Sequence, residues 1–399
     1  MAEPHREPTD DDRATVAWLT RNVADALPAG ALARQLARAR EEGQPLRCKM
    51  GLDPTAPDIH LGHTVVLQKL RELQDAGHHV VLLIGDMTAR VGDPSGRDTT
   101  RPVLDDAAID ANAATYQEQA FKVLDPDRVE VVRNSDWLDL SLAELFGLLR
   151  TTTVAQLLER DDFAKRYEAH RPITMLELLY PMMQAYDSVA IKADVELGGT
   201  DQKFNLLLGR DMQKAYGVRQ QSVLTMPILV GLDGERKMSK SLGNQIGVRD
   251  EPGEMYGKVL SLPDSAMPQY YDLLLGEGLP EGMGPRDAKH DLARRIVTRF
   301  HDEAAASAAA AAFQKVIVDK ELPDDIPEVS IPPGDAHLPA VLASAFGESR
   351  SAARRLLTQG AVKRDGEVLP GDPLDVDAAS LDGRVLQLGK RRFARIRVG

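Results

Sequence analysis

The sequence predicts an α/β protein built on a parallel sheet, followed by an all-helical stretch and then a small α+β module. Three observations carry that expectation. Short apolar runs alternate with helix-length segments over the first 230 residues or so, as in "LRCKMGL" at 46–52 and "HVVLLIG" at 79–85 with a helix between them. Such a βαβ unit implies parallel strands joined by a right-handed crossover. After Gly247 only helical patterns recur, up to about Asp319, among them the alanine-rich "AAASAAAAAF". Five prolines in "KELPDDIPEVSIPPGDAHLP" at 320–339 then read as a linker.

Taken in order, the acidic "MAEPHREPTDDDRATVAWL" lacks the apolar core of a secretory signal and reads as a disordered lead into a helix. The strand at 46–52 is followed by a helix ending at Gly77, then by the strand at 79–85. A helix at 105–124 leads to a third strand, "VEVVRN" at 129–134. Helical stretches at about 141–160 and 174–190 precede the strand "ADVELGG" at 193–199, a helix at 201–216 and a last strand "SVLTMPIL" at 222–229. Beyond the linker, two short helices and the turn signals "RDGE" and "LDGR" mark the module. The expected division is an α/β domain at 1–247 with a helical insertion at about 105–190, a helical domain at 248–320, a linker at 321–339 and a module at 340–399.

Composition narrows the function classes. Hydrophobic residues make up 43% of the 399-residue chain, enough for an ordinary buried core. No apolar run approaches the ~20 residues that a membrane helix needs. Cys48 is the single cysteine, which excludes an intrachain disulfide and a multi-cysteine zinc site and fits a reducing, cytoplasmic setting. The net charge of −12 argues against a nucleic-acid footprint over the whole surface, yet residues 341–399 carry 11 Lys+Arg against 7 Asp+Glu. A basic end on an acidic body suits RNA bound at that end, although a local excess of +4 taken alone is better read as a solvated surface.

"PDIHLGHTVVLQKLRELQDAG" at 57–77 places His60 and His63 around Gly62 at the mouth of an amphipathic helix. A metal site, an anion cradle and plain packing compete to explain it. Metal binding needs a third ligand from elsewhere, and packing leaves Gly62 and the preceding "DPTAPD" loop unexplained. An anion cradle accounts for both, because a helix N-terminus offers free N–H groups and glycine lets a phosphate approach. A second signal, "GERKMSKSLGN" at 234–244, gathers Arg236, Lys237 and Lys240 with Ser239 and Ser241 in one short loop. Cations of this kind suit the charge that grows during phosphoryl displacement. A third, "YPMMQAYD" at 180–187, sets Tyr180, Gln184 and Asp187 at i, i+4 and i+7 on one helix face, either a partly solvated polar face or the lining of a pocket.

"HLGH" followed by "KMSKS" resembles the signature pair of the class I aminoacyl-tRNA synthetases. With "GDPSGRDTTR" at 92–101, "YPMMQAYD" and "ELGGTDQKFN" at 196–205, the chain is similar to the bacterial-type tyrosyl-tRNA synthetases from about Val16 to its end. The resemblance implies a Rossmann-like catalytic domain, a helical anticodon-binding domain and a terminal RNA-binding module like that of a ribosomal small-subunit protein. It implies that L-tyrosine is activated with ATP, accompanied by Mg²⁺ without a dedicated protein cage, and passed to tRNA(Tyr) by a homodimer. By the same resemblance His60, His63 and Thr55 hold phosphates, and Lys237 and Lys240 close over them. Asp53, Gly62, Gly199, Asp201, Arg97, Arg101 and Ser241 complete the ATP site. Tyr180, Gln184 and Asp93 take the tyrosine ammonium, Asp187 its hydroxyl, and Gln202 its reacting carboxylate. Lys49 stands where many members carry a tyrosine that contacts the hydroxyl; a variant branch reads "VKLG" there, so Lys49 is expected in the tyrosine site. In the module, Arg350, Arg354, Arg355, Lys363 and Arg364 are expected to form one phosphate-contacting patch. The competing readings are a tryptophanyl-type enzyme, a non-catalytic RNA-binding protein on a synthetase scaffold, and a nucleotidyltransferase sharing the H-x-G-H site.

Overall fold

The computed structural model describes residues 7–94, 105–318, 322, 326–389 and 392–399. Contacts divide the chain into two compact units, Met1–Asp302 and Glu303–Gly399. The expected helical domain at 248–320 does not stand apart: its first part packs within the first unit, and its alanine-rich helix belongs to the second.

The first unit is built on six strands, β1 (Asp25–Leu27), β2 (Arg47–Leu52), β3 (His79–Ile84), β4 (Val129–Arg133), β5 (Val195–Gly199) and β6 (Ser222–Met226), in the order β1-β6-β5-β2-β3-β4. All neighbours are parallel except β1, which runs antiparallel to β6. Strand β1 is too short and too polar at Asp25 to announce itself in the sequence. The inner strands are almost wholly buried, which explains why they read as continuous apolar runs rather than as alternating patterns. The chain leaves β2 toward β3 on one side and leaves β5 toward β6 on the other. Connections therefore diverge between β2 and β5 and open a crevice at the carboxyl ends of these strands.

The helices of this unit are α1 (Asp10–Leu19), α2 (Ala31–Glu42), α3 (Leu61–Asp75), α4 (Asp86–Val91), α5 (Asp106–Ala120), α6 (Ser135–Leu138), α7 (Leu142–Leu149), α8 (Val154–Leu158), α9 (Asp161–Glu168), α10 (Met175–Ile191), α11 (Lys203–Ala215), α12 (Pro252–Leu260), α13 (Met267–Tyr270) and α14 (Pro285–Phe300). Helix α1 begins at Asp10, inside the stretch read as a disordered lead, because Thr9 and Asp12 form a reciprocal capping box. The insertion read at 105–190 includes the edge strand β4, so the purely helical part starts at α6. Its helices share a core of Leu148, Leu157, Phe163, Leu178, Met182, Ala185 and Val189, joined by Leu208 and Met212 of α11.

The second unit holds α15 (Glu303–Phe313), α16 (Leu338–Phe346) and α17 (Arg350–Thr358) with strands β7 (Glu328–Ile331), β8 (Asp335–His337), β9 (Val362–Arg364), β10 (Glu367–Val368), β11 (Asp375–Asp377), β12 (Val385–Leu388) and β13 (Arg392–Val398). The linker read at 321–339 is a correction: it contains β7, paired in parallel with β13, and β8, paired with β11. Pro327, Pro332 and Pro333 flank β7 instead of interrupting it, so no ladder hydrogen bond is lost.

Helix α10 is anchored at its start. Thr174 caps it reciprocally with Glu177, whose carboxylate also takes the Arg166 guanidinium of α9 in two bonds of 2.7 and 3.1 Å. Both side chains are nearly inaccessible. Burial pushes the Glu177 carboxyl up, but Arg166 and Thr174 outweigh it and hold it below the usual glutamate range. Glu177→Ala, which leaves a buried cation without its carboxylate, is expected to lower stability by about 3–5 kcal/mol. Urea denaturation followed by circular dichroism measures this, and a loss under 1 kcal/mol contradicts the anchoring role.

Candidate active site

The crevice has two arms. The nucleotide-facing arm is built on the N-terminus of α3. His60 is the N-cap: its Nδ1 accepts the Gly62 N–H at 3.2 Å, and its own N–H donates to His63 Nδ1 at 3.1 Å. The capping box normally made by serine and glutamate is here made by two imidazoles, with ring centroids 4.0 Å apart. A Cβ at Gly62 would lie 3.0 Å from His60 ring atoms, so the cap requires glycine between them. Burial, then the neighbouring His63 and Lys237, push His60 down to about 2. Burial pushes His63 down to about 4, with the His60 amide working against it and Lys237 with it. Both rings are therefore neutral at physiological pH. With each Nδ1 accepting, the ring hydrogen of each resides on Nε2.

The lysine-rich loop lies against this helix start. Leu61 N–H donates to the Ile246 carbonyl at 2.9 Å and Val248 N–H to the Ile59 carbonyl at 3.2 Å. Met238 is buried, and its Cβ stands 3.7 Å from where a Gly62 side chain would begin. Asn244 organises the loop, accepting from Ser239 N–H at 2.8 Å and donating to the Lys237 carbonyl at 3.1 Å and to Asp233 at 3.0 Å. Lys237 reaches Asp201 across the crevice at 3.4 Å. Lys240 and Ser241 open an exposed 3₁₀ turn, Lys240–Leu242, and Ser241 Oγ meets Ser239 Oγ at 2.9 Å. The loop and the histidines thus share one site, Lys237 being the cation that bears on both imidazoles. Gly199 ends β5 beside Asp201, and Thr55 sits half-buried with its amide on the Asp53 carbonyl. Arg97 and Arg101 lie outside the described residues.

The second arm is lined by α10. The Tyr180 hydroxyl donates to Asp53 Oδ2 at 2.8 Å, and Thr88 donates to Asp53 Oδ1 at 2.7 Å. Asp53, expected in the ATP site, is thus also joined to this arm. Asp93 receives Arg160 at 3.1 Å and Gln202 at 2.8 Å. Asn205 bridges Gln202 and Gln184 at 2.9 and 2.8 Å. At the far end Asp187, 1% exposed, accepts the Trp137 indole at 2.8 Å and the Asn134 amide at 3.4 Å. Asn134 also donates to Thr88 at 3.1 Å, which joins both ends of the arm in one hydrogen-bonded chain. Burial pushes Asp187 up to about 7, against the pull of Lys49, Trp137 and Asn134. Lys49, fully buried, has its ammonium 2.8 Å from Ser188 Oγ and 2.9 Å from Glu196 Oε1.

Sequence reasoning missed Thr88, Asn134, Trp137, Arg160, Asn205 and the role of Asn244. Thr88, Asn134, Trp137 and Arg160 acquire meaning through partners far along the chain, whereas Asn205 and Asn244 also bond close neighbours that no periodicity singles out. Among the described residues no group of three His, Cys, Asp or Glu side chains could hold a metal ion.

In the second unit, Arg350, Arg354 and Arg355 are exposed on α17. Val362 of β9 joins the core formed with Ala353 and Leu357 of α17. Strand alternation then puts Arg364 on the helix side and Lys363 on the opposite face. Arg364 and Lys363 therefore lie on opposite faces of β9.

A parallel sheet with imidazoles capping the helix after one central strand, a lysine loop against them and a polar amino-acid arm beside them defines a class I synthetase. The chain belongs to the family described as "tRNA synthetases class I (W and Y)", whose model matches residues 41–317. It is 53% identical to the tyrosine--tRNA ligase of Moorella thermoacetica over 95% of this chain and 94% of that one. It is 48% identical to the tyrosine--tRNA ligase of Bordetella pertussis over the full length of both. Among solved structures, the tyrosyl-tRNA synthetase of Archaeoglobus fulgidus, complexed with L-tyrosine, matches with a TM-score of 0.61 and 25% identity, covering 75% of this chain and all of that one.

The tautomers lead to an expected spectrum. Long-range ¹H–¹⁵N correlation at pH 6 should find His60 and His63 neutral with the proton on Nε2. An imidazolium signal from either residue at that pH contradicts the geometry.

Proposed function

We infer that the chain acts as a tyrosine--tRNA ligase. It activates L-tyrosine with ATP to tyrosyl-adenylate and pyrophosphate, then transfers the tyrosyl group to the 3′ end of tRNA(Tyr). The observation that carries this reading is the buried carboxylate Asp187 ending the amino-acid arm of a crevice whose other arm is capped by neutral imidazoles. An apolar pocket separates tyrosine from phenylalanine poorly, whereas a buried acceptor that phenylalanine leaves unpaired discriminates strongly. Tyrosyl-tRNA synthetases are themselves the standard example of this effect, at about 10⁵-fold.

In the first step a tyrosine carboxylate oxygen bonds to the α-phosphorus of MgATP as the bond to the pyrophosphate oxygen breaks, and pyrophosphate leaves with that electron pair. The substrate supplies the nucleophile, so catalysis consists of alignment and charge stabilisation. Cys48 has no part in it: its thiol is buried, and burial raises it well above the ordinary range. We assign the Nε2–H groups of His60 and His63, with Thr55 and the Gly62 amide, to the phosphates. Lys237 and Lys240 neutralise the leaving pyrophosphate, with Arg97, Arg101 and Ser241 as further contacts. Gly199 and Asp201 meet the ribose. Asp93, Tyr180, Gln184 and Gln202 hold the ammonium and orient the carboxylate, with Asp53 fixing the Tyr180 hydroxyl. In the second step a terminal ribose hydroxyl of the tRNA attacks the acyl carbon and AMP departs. Residues 340–399, with Arg350, Arg354, Arg355, Lys363 and Arg364 as the candidate phosphate contacts, are assigned to RNA. A cytoplasmic location accords with the single unpaired cysteine, and among the described residues no helix is long and apolar enough to cross a membrane.

Tyrosine-dependent ATP–pyrophosphate exchange tests the central assignment. Asp187→Asn is expected to lower the preference for tyrosine over phenylalanine by at least ~10²-fold, the order of magnitude for losing one charged buried acceptor. Unchanged discrimination overturns the assignment of the hydroxyl acceptor.

We also propose a homodimer formed through the helical insertion. Leu142 (66% exposed), Phe146, Val154, Met175 (73% exposed) and Leu176 present an apolar surface on α7, α8 and the start of α10. Several large apolar side chains exposed on neighbouring helices of one insertion support an interface there. Light scattering after size exclusion should give twice the 43.6 kDa chain mass for the wild type. Phe146→Glu combined with Met175→Glu should give the single mass.

A further inference from the structure

Lys49 sits on β2 directly opposite Glu196 of β5 in the parallel register. Its ammonium is held by Glu196 at 2.9 Å and by Ser188 at 2.8 Å, and Ser188 is the residue following Asp187 on α10. Glu196 is fully satisfied: besides Lys49 it accepts Ser188 Oγ at 2.9 Å and the Gln221 amide. Asp187 has two neutral donors, Trp137 and Asn134, and no ion-pair partner among the described residues. Lys49 thus neutralises Glu196 by contact and is bonded to the residue next to Asp187, so that its charge also bears on this second buried carboxylate.

We propose that Lys49 is a positioning residue that determines specificity without touching tyrosine: its ammonium, fixed by Glu196 and Ser188, holds Asp187 as the charged acceptor of the substrate hydroxyl. The inference rests on the assignment of Asp187 made above. A carboxylate accepts a hydroxyl proton about twice as strongly as a neutral acceptor does, so the charge state of Asp187 sets the discrimination. Burial pushes Asp187 up to about 7; Lys49 is the largest influence opposing that rise, and Glu196 adds to it. Several other charges on the packed elements are engaged elsewhere. Asp86 of α4 accepts from Ser135 and lies 3.7 Å from Arg133. Glu144 caps its own helix α7, Glu177 of α10 binds Arg166, and Arg210 of α11 donates to the Gln221 carbonyl. Acidification through neutrality therefore removes the acceptor's charge, and removing Lys49 makes that happen at higher pH.

The test is the ratio of kcat/KM for tyrosine to that for phenylalanine in ATP–pyrophosphate exchange by the full chain, measured from pH 5.5 to 9. Phenylalanine shares every other ionisation, so the ratio isolates the hydroxyl acceptor. In the wild type the ratio should fall about tenfold from pH 8 to pH 6, as expected for a single group titrating near 7. Lys49→Met should move the midpoint to higher pH by about one unit and lower the ratio at pH 7 about fivefold. Because this variant strands a buried Glu196, the charge-balanced Lys49→Met/Glu196→Gln is measured alongside, with a smaller shift in the same direction. Glu196→Gln alone should move the midpoint the opposite way, a sign that a merely structural disturbance does not produce. Midpoints that stay at the wild-type value in the folded variants overturn the proposal. If Asp187→Asn leaves the ratio unchanged, the hydroxyl-acceptor assignment itself fails; if it abolishes the ratio's pH dependence while the Lys49 and Glu196 variants do not move it, only the role of Lys49 fails.

Discussion

A buried carboxylate among polar partners is the constraint from which the rest of this arm follows. Removing such a group from water costs several kcal/mol unless donors replace its hydration. Asp187 meets that requirement with an indole, an amide and a nearby ammonium. Each of these has its own needs. Asn134 must also serve Thr88 and the Met87 amide, and Thr88 must serve Asp53. Lys49 must find its own counter-ion within the sheet, which it does in the paired strand. The result is a continuous polar chain from Trp137 to Tyr180 inside an apolar shell. Each member is tied to at least one other, so a change at one position disturbs the hydrogen bonds of its neighbours.

The other arm solves a complementary problem. Phosphates are attracted by the free N–H groups and partial positive charge of a helix start. A cationic histidine there would add charge, but burial and the adjacent Lys237 keep both rings neutral. The imidazoles therefore act as oriented hydrogen-bond donors, and the movable positive charge is left to the lysine loop. Lys237 is held only by a partly exposed contact to Asp201 at 3.4 Å, of a kind that contributes about 0–1 kcal/mol. Its ammonium can be redirected to another anion at small cost, whereas the Nδ1 contacts of the histidines stay fixed by the backbone. Divergence of the connections at the β2–β5 junction puts these two kinds of group across one crevice.

Much of this was legible in the residues themselves. The parallel sheet could be read because buried strands leave unbroken apolar runs, and the α10 face because Tyr180, Gln184 and Asp187 recur at helical spacing. Strand β7 could not: its prolines made "IPEVSIPP" look like linker, and only its pairing with β13 shows that they stand outside the ladder. Asp53 is placed in the ATP site by resemblance, and no spacing rule tells that Tyr180, 127 positions later, donates to it. Trp137 and Asn134 gave no signal, because an indole and an amide are ordinary in a helix of four residues. Sequence periodicity reports which face is buried; it does not report which distant donor completes a carboxylate.

The helical insertion joins the two demands placed on α10 and its neighbours. Their inner side supplies the polar groups of the crevice, while the outer side leaves Leu142, Phe146 and Met175 in water. Arg160, between α8 and α9, spans the two: its guanidinium is 4% exposed, stacks 5.4 Å over the Phe163 ring in the insertion core, and reaches Asp93 in the amino-acid arm. The position of Asp93 is thus set from the insertion and not from the sheet alone. A short helix such as α8 or α9 has little stability of its own and holds its shape through tertiary packing. Covering its outer apolar face would stiffen the Arg160 contact without any new bond to Asp93, so the outer surface and the ammonium site are parts of one packed body.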